Sequence, residues 1–180
     1  MNKKNVIGWG AAFFFGTALL VWLDQASKIL AETNLISSPI VLIEGVFELA
    51  YVQNRGAAFG IFQDGTMFFV CITVILLAVI LYAFLKIPAD RKYHVLRILI
   101  IFIMAGAIGN LIDRMTKHYV VDFFYFSLID FPVFNVADIY LTCSIILIAL
   151  LIFTKYKDDA FINSVFESRK KDKKEDEAQE

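Results

Sequence analysis

The stretch Asn135-Val136-Ala137-Asp138-Ile139-Tyr140-Leu141-Thr142-Cys143-Ser144-Ile145-Ile146-Leu147-Ile148-Ala149-Leu150-Leu151-Ile152-Phe153-Thr154 decides the fold. A helix over residues 136–154 rises about 28 Å, close to the ~30 Å thickness of a bilayer's hydrocarbon core. Its one charge, Asp138, stands in the first turn. That position has an ordinary explanation, because a helix N-terminus favours an acid and Asn135 suits an N-cap.

Three further stretches have the same character. Residues 6–23 and 67–85 carry no charge, and residues 95–112 carry only Arg97, near one end where its stem can snorkel. The expected fold is therefore an all-α integral membrane protein with four transmembrane helices. Composition agrees: 59% of the 180 residues are apolar, against about 45–50% in soluble domains. Lys3 and Lys4 before the first stretch resemble a secretory leader. Its length and the lack of an Ala-x-Ala pattern before Asp24 favour a retained span.

Charge sets the expected orientation. Lys3, Lys4, Lys86, Arg91, Lys92, Arg97, Lys155 and Lys157 fall on one side, and Lys28, Arg55, Arg114 and Lys117 on the other. The positive-inside rule places both termini in the cytoplasm. Residues 24–66 and 113–135 then lie on the outer face.

The first outer segment has structure of its own. Residues 40–43 and 46–52 are β-rich and flank Glu44-Gly45, a turn-like pair, so a small extracytoplasmic hairpin or sheet is expected. Residues 56–62, with Phe59 and Phe62 three apart, suit a short interfacial helix. Residues 1–157 read as one domain. Residues 158–180 read as a disordered cytoplasmic tail, since 168–180 alternate lysine and acid runs with almost nothing to bury.

Other function classes find little support. A net charge of −1 gives no basic excess for nucleic acid. Cys71 and Cys143 both lie in apolar runs, and His94 and His118 are the only histidines. Neither a disulfide framework nor a metal or other cofactor is expected.

Ionisable groups at membrane depth cost at least about 2.5–3.5 kcal/mol each at a helix centre, so those that persist need a reason. Asp24 and Lys28 are four apart, share a helical face and can pair where the first helix closes. Asn54-Arg55-Gly56 suits a turn after the hairpin, or a close backbone approach to a substrate. Gly106, Asn110, Asp113 and Arg114 share one stripe of the third helix, with Gly109 beside them allowing close packing. An Asp113–Arg114 pair that caps this helix is one reading of its end. Asp122, between Val120-Val121 and Phe123-Phe124, is a carboxylate in an apolar run. The topology brings Asp122 and Asp138 to the same membrane face. Two carboxylates that share a proton can activate water and polarise a carbonyl together. No Ser–His or Cys–His pairing is as well placed.

Five motifs occur in order: Asp24-Gln25-Ala26-Ser27-Lys28, Asn54-Arg55-Gly56-Ala57-Ala58-Phe59, Gly109-Asn110-Leu111-Ile112-Asp113-Arg114, Val120-Val121-Asp122-Phe123 and Phe134-Asn135-Val136-Ala137-Asp138. Together they resemble the bacterial lipoprotein signal peptidases, over roughly residues 6–154. The resemblance implies a metal-free aspartyl endopeptidase that removes signal peptides from prolipoproteins, cutting before a diacylglyceryl-modified cysteine. It assigns Asp122 and Asp138 as the catalytic pair. Asn54, Asn110, Arg114 and Asn135 would line the site and hold substrate or the antibiotic globomycin. Asp24, Lys28, Gly56 and Asp113 would support it. It further implies a multi-pass protein of the bacterial cytoplasmic membrane, in contact with lipid, with its site near the outer face. Nothing in the sequence demands more than a monomer.

The rival from another class is a small proton-coupled transporter, where membrane acids also serve. Internal repeats and helices broken at mid-membrane would favour it, whereas these acids stand near helix ends. A structural membrane subunit would have no use for so many clustered polar residues.

Overall fold

A computed structural model of the chain describes residues 3–56 and 66–157. Four helices are long and apolar enough to cross a membrane: α1 (Lys3–Leu35), α2 (Thr66–Lys86), α3 (His94–Lys117) and α4 (Val136–Thr154). Three strands, β1 (Ile40–Ile43), β2 (Phe47–Asn54) and β3 (Val120–Tyr125), form one antiparallel sheet in the order β1-β2-β3. The interfacial helix expected over residues 56–62 falls mainly, and the tail wholly, outside the described residues. The chain divides into two compact units, Met1–Ser144 and Ile145–Glu180. Every site residue considered below belongs to the first.

The helices differ in what surrounds them. In the most apolar window of the span containing α3, 67% of residues are buried, against 6% for α1 and 6% for α2. Phe14, Phe15, Trp22, Val74 and Ile75 stand exposed. Such faces suit hydrocarbon as solvent, while α3 supplies the protein's own interior. Small residues permit that role. A Cβ on Gly106 would lie 2.6 Å from the Ala137 carbonyl oxygen and 2.8 Å from Leu141 Cγ, so α4 approaches α3 backbone to backbone there.

Two expectations about the helices are corrected. The first helix does not close at Lys28; it runs unbroken to Leu35. The added turns have an apolar partner: Ala31 and Leu35 pack with Val121 and Phe123 of the sheet in one buried cluster. Arg97 does not snorkel outward. It is buried, donates to the Ile87 and Pro88 carbonyls just past α2, and lies over the Phe84 and Trp9 rings. It thus satisfies two carbonyls of the chain that leaves α2.

The hairpin forms as expected, with Gly45 at φ +67° in its turn. That left-handed conformation is cheap only for glycine. The third strand goes beyond the sequence reading. Val120–Tyr125 pairs with β2 in a register that sets Asp122 opposite Val52 and Val120 opposite Asn54. A one-residue slip would exchange the two faces of a strand. Here the register turns Val121 and Phe123 toward α1 and leaves Asp122 on the opposite face.

Candidate active site

The site has two tiers of polar side chains. The deeper tier centres on Lys28, which is 0% exposed. Its ammonium has three donors and no acceptor. It meets Asp24 Oδ2 at 2.9 Å, Asp113 Oδ2 at 3.0 Å and Asn110 Oδ1 at 2.9 Å. Both carboxylates are also fully buried and reach other elements. Asp24 Oδ1 accepts the Ala137 N–H of α4 at 2.9 Å, and Asp113 Oδ2 accepts the Val121 N–H of β3 at 3.1 Å. The Gln25 amide donates to Asp24 Oδ2 and to the Gly109 carbonyl oxygen. The triad therefore ties α1, α3, β3 and the start of α4 together. Breaking such a buried pair by removing one partner costs about 3–5 kcal/mol, because a charge is left without compensation.

This tier revises two sequence readings. Asp24 and Lys28 pair at i,i+4 as expected, but inside a continuous helix and out of solvent. Asp113 pairs with Lys28 on α1 instead of capping α3 with Arg114. Gly109 makes the approach possible, because a Cβ there would collide with Asp24 Oδ2.

The upper tier holds Asp122 and Asp138, linked through the carboxamides of Asn135 and Asn110, with Asn54 on the far side of Asp122. Asn135 Nδ2 donates to Asp122 Oδ1 at 2.7 Å and to Asn110 Oδ1 at 3.1 Å. Asn110 Nδ2 donates to Asp138 Oδ1 at 2.8 Å, and Asn54 Nδ2 to Asp122 Oδ2 at 2.9 Å. Asp138 Oδ2 accepts the Asn135 backbone N–H at 3.2 Å, while Asn135 Oδ1 accepts the Asp138 N–H at 3.0 Å. That reciprocal pair is a capping box with Asp at the third position of α4. Each carboxylate thus receives one donor on each oxygen.

The amide orientations follow from groups that can only donate. The Gly56 N–H, 3.1 Å from Asn54 Oδ1, leaves the Asn54 nitrogen for Asp122. The Asp138 N–H does the same for Asn135. For Asn110 the corresponding donor is the Lys28 ammonium.

The surroundings of Asp122 disfavour its charge. Burial pushes the Asp122 carboxyl from the ordinary 3.8 up to about 7, and the nearby Asp138 charge adds to the rise. The amides of Asn54 and Asn135, and the charge of Lys28, work the other way. Asp138 has the N-terminal end of α4 behind it, which favours negative charge. Two neighbouring carboxyls that share one proton are able to polarise a carbonyl and activate water. Half-buried Arg114 stands at the rim, 3.5 Å from the Asn110 carbonyl oxygen and over the Phe69 ring at 5.3 Å. Arg55 beside Asn54 is exposed.

The structure gathers Asp122, Asp138, Asn54, Asn110 and Asn135 into one hydrogen-bonded set, with Asp24, Lys28 and Asp113 beneath. Sequence reasoning missed Gln25 as a participant and the backbone donors of Ala137 and Val121. The second of these could have been found: Tyr119 to Tyr125 is almost wholly β-branched and aromatic, a strand composition.

Comparison with known proteins shows the family. Residues 16–154 match the family model described as signal peptidase (SPase) II. A lipoprotein signal peptidase of Caldanaerobacter subterraneus subsp. tengcongensis is 44% identical over 142 residues, 77% of this chain and 93% of that protein. One from Streptococcus pyogenes serotype M5 is 39% identical over 142 residues, 78% of this chain and 92% of that protein. A solved bacterial membrane enzyme superposes with a TM-score of 0.70 at 34% identity, covering 83% of this chain and 90% of the other.

Proposed function

This chain belongs to the signal peptidase II family, and we propose that it removes signal peptides from diacylglyceryl-modified prolipoproteins with Asp122 and Asp138 as its catalytic pair. It is a multi-pass membrane peptidase. The observation that carries the assignment of the pair is Asn135, whose side chain bonds to Asp122 at 2.7 Å while its backbone N–H bonds to Asp138.

In this reading Asp138 takes a proton from a water molecule whose oxygen attacks the scissile carbonyl carbon. Asp122 gives its proton to the carbonyl oxygen as the tetrahedral intermediate forms. Collapse of the intermediate breaks the C–N bond: the ionised Asp122 takes back a proton from a gem-diol hydroxyl as the C=O bond re-forms, and the proton on Asp138 passes to the leaving amine nitrogen. The dyad then returns to one shared proton. Asn54, Asn110 and Asn135 hold the carboxylates in place and border the space for the peptide. Arg114 at the rim would contact substrate or globomycin.

The substrate's acyl chains would enter from the bilayer, and each buried methylene contributes about 0.8 kcal/mol. The excess of basic residues near the opposite helix ends supports cytoplasmic termini and a site near the outer face of the bacterial cytoplasmic membrane. Residues 1–157 would form the working unit, as a monomer, with residues 158–180 a cytoplasmic tail.

Two experiments test this reading. Purified protein in detergent should shorten a diacylglyceryl prolipoprotein, leave the unlipidated version largely uncut, and be inhibited by globomycin. Equal rates on both versions would contradict lipid recognition. Glu44→Cys, with Cys71 and Cys143 replaced, should react with a membrane-impermeant thiol reagent in intact spheroplasts. Labelling only after lysis would reverse the orientation.

A further inference from the structure

The three carboxamides around the dyad differ in what holds them. Asn54 and Asn135 are each oriented by a backbone N–H, from Gly56 and Asp138. Asn110 is oriented by side chains: Lys28 at 2.9 Å and, more weakly, the Asn135 amide at 3.1 Å, both on Oδ1. If the Asn110 amide turned over, its oxygen would face the Asp138 carboxylate, and two acceptors would meet. A side-chain anchor is also free to move unless something holds it. Asp24 and Asp113 do so, taking the other two ammonium donors at 2.9 and 3.0 Å. Their second bonds, to the N–H groups of Ala137 and Val121, place that anchor relative to the starts of α4 and β3. Those are the elements that carry the two aspartates.

We propose that Lys28 is a positioning residue for the peptidase reaction, acting through Asn110: its clamped ammonium fixes the Asn110 carboxamide so that Nδ2 is aimed at Asp138. This rests on Asp122 and Asp138 being the catalytic pair. Lys28 has no place of its own at the reacting atoms, since all three of its donors are taken below them. Asp24 and Asp113 are the frame of this device, and their value to catalysis is the fixed place of one nitrogen.

The test is a double-mutant cycle on kcat with a lipidated substrate, using Lys28→Met, Asn110→Ala and the pair. Lys28→Met alone lowers kcat on the order of a hundredfold with KM little changed, since a misplaced group near the chemistry costs about that much. Once Asn110 is alanine, Lys28→Met costs little more, because the two act as a unit. Lys28→Met leaves two buried carboxylates uncompensated and can unfold the protein. A second variant, Lys28→Met with Asp24→Asn and Asp113→Asn, removes the charges while keeping acceptors for the Ala137 and Val121 N–H groups. It is expected to recover thermal stability but not kcat.

Additive losses in the cycle, or recovery of near-normal kcat in the triple variant along with its stability, would show that Lys28 serves the fold alone. Asp122→Asn and Asp138→Asn run in parallel keep the two ideas apart. If both are inactive and the cycle is additive, the dyad stands and the positioning role of Lys28 falls. If either retains turnover, the assignment of the pair itself falls.

Discussion

Asn135 and Asp138 cap one another at the start of α4, side chain to backbone in both directions, at 3.0 and 3.2 Å. The same Asn135 amide carries the bond to Asp122 at 2.7 Å. One residue therefore starts the helix and joins the two acids. These tasks can be separated. Asn135→Ser keeps a good N-cap but cannot reach both partners, so it should lose less stability than Asn135→Ala while kcat collapses as far. Asn135→Ala should lose activity and about 1 kcal/mol of stability besides. Thermal unfolding and turnover on one preparation check both. A Ser variant with normal turnover would remove the bridge from the mechanism.

Asp122→Asn and Asp138→Asn should each lower kcat by roughly 10⁴-fold while leaving the protein folded and inserted, with the double variant little worse than either. Asn keeps the shape of the carboxylate but cannot exchange the proton. Residues acting as a unit are non-additive, so the double variant is the sharper measurement. Losses that multiply would mean two independent roles.

The position of Asp122 at about 7 makes stability depend on pH in a defined direction. The folded carboxyl holds its proton more tightly than the unfolded one near 3.8. Its contribution to stability is then fully present below that value and is lost as pH rises through about 7. Asp122→Asn should therefore raise the melting temperature relative to wild type more at pH 8 than at pH 4. Wild-type kcat should fall on the alkaline side near pH 7, as Asp122 gives up the proton the reaction needs. The apparent values belong to the pair. Equal melting differences at the two pH values would show that Asp122 is not held protonated by the fold.

Gly109→Ala should disrupt the deeper tier. Its Cβ would collide with Asp24 Oδ2 and lie 3.1 Å from Asp24 Cγ, and overpacking of this kind costs about 1–3 kcal/mol. Gly8, where an added methyl would meet nothing within 4 Å, is the matched control. Alanine there should be neutral or stabilise by about 0.5–1 kcal/mol. Parallel melting curves and turnover numbers test the contrast. A harmless Gly109→Ala would mean that α1 and α3 can separate without loss.

The four spans, the hairpin and the polar residues that needed a partner were legible in the sequence because their causes are local, while the roles given to those residues came from the resemblance. A run of apolar residues states its own solvent, a Glu-Gly pair states a turn, and a carboxylate in an apolar context states that something compensates it. Tertiary structure decided the partners. Asp113 had Arg114 beside it in sequence, yet pairs with Lys28, more than eighty positions away, because α3 packs on α1 where Gly109 lets it come close. The first helix runs on past Lys28 because Ala31 and Leu35 have Val121 and Phe123 to cover them, and that cover exists only once β3 joins β2. The direction of each amide, and with it which carboxylate receives which donor, depends on N–H groups and an ammonium brought from other elements. Residue type and helical period can name the members of such a network, but only the packed chain sets the distances on which their charges and hydrogen bonds act.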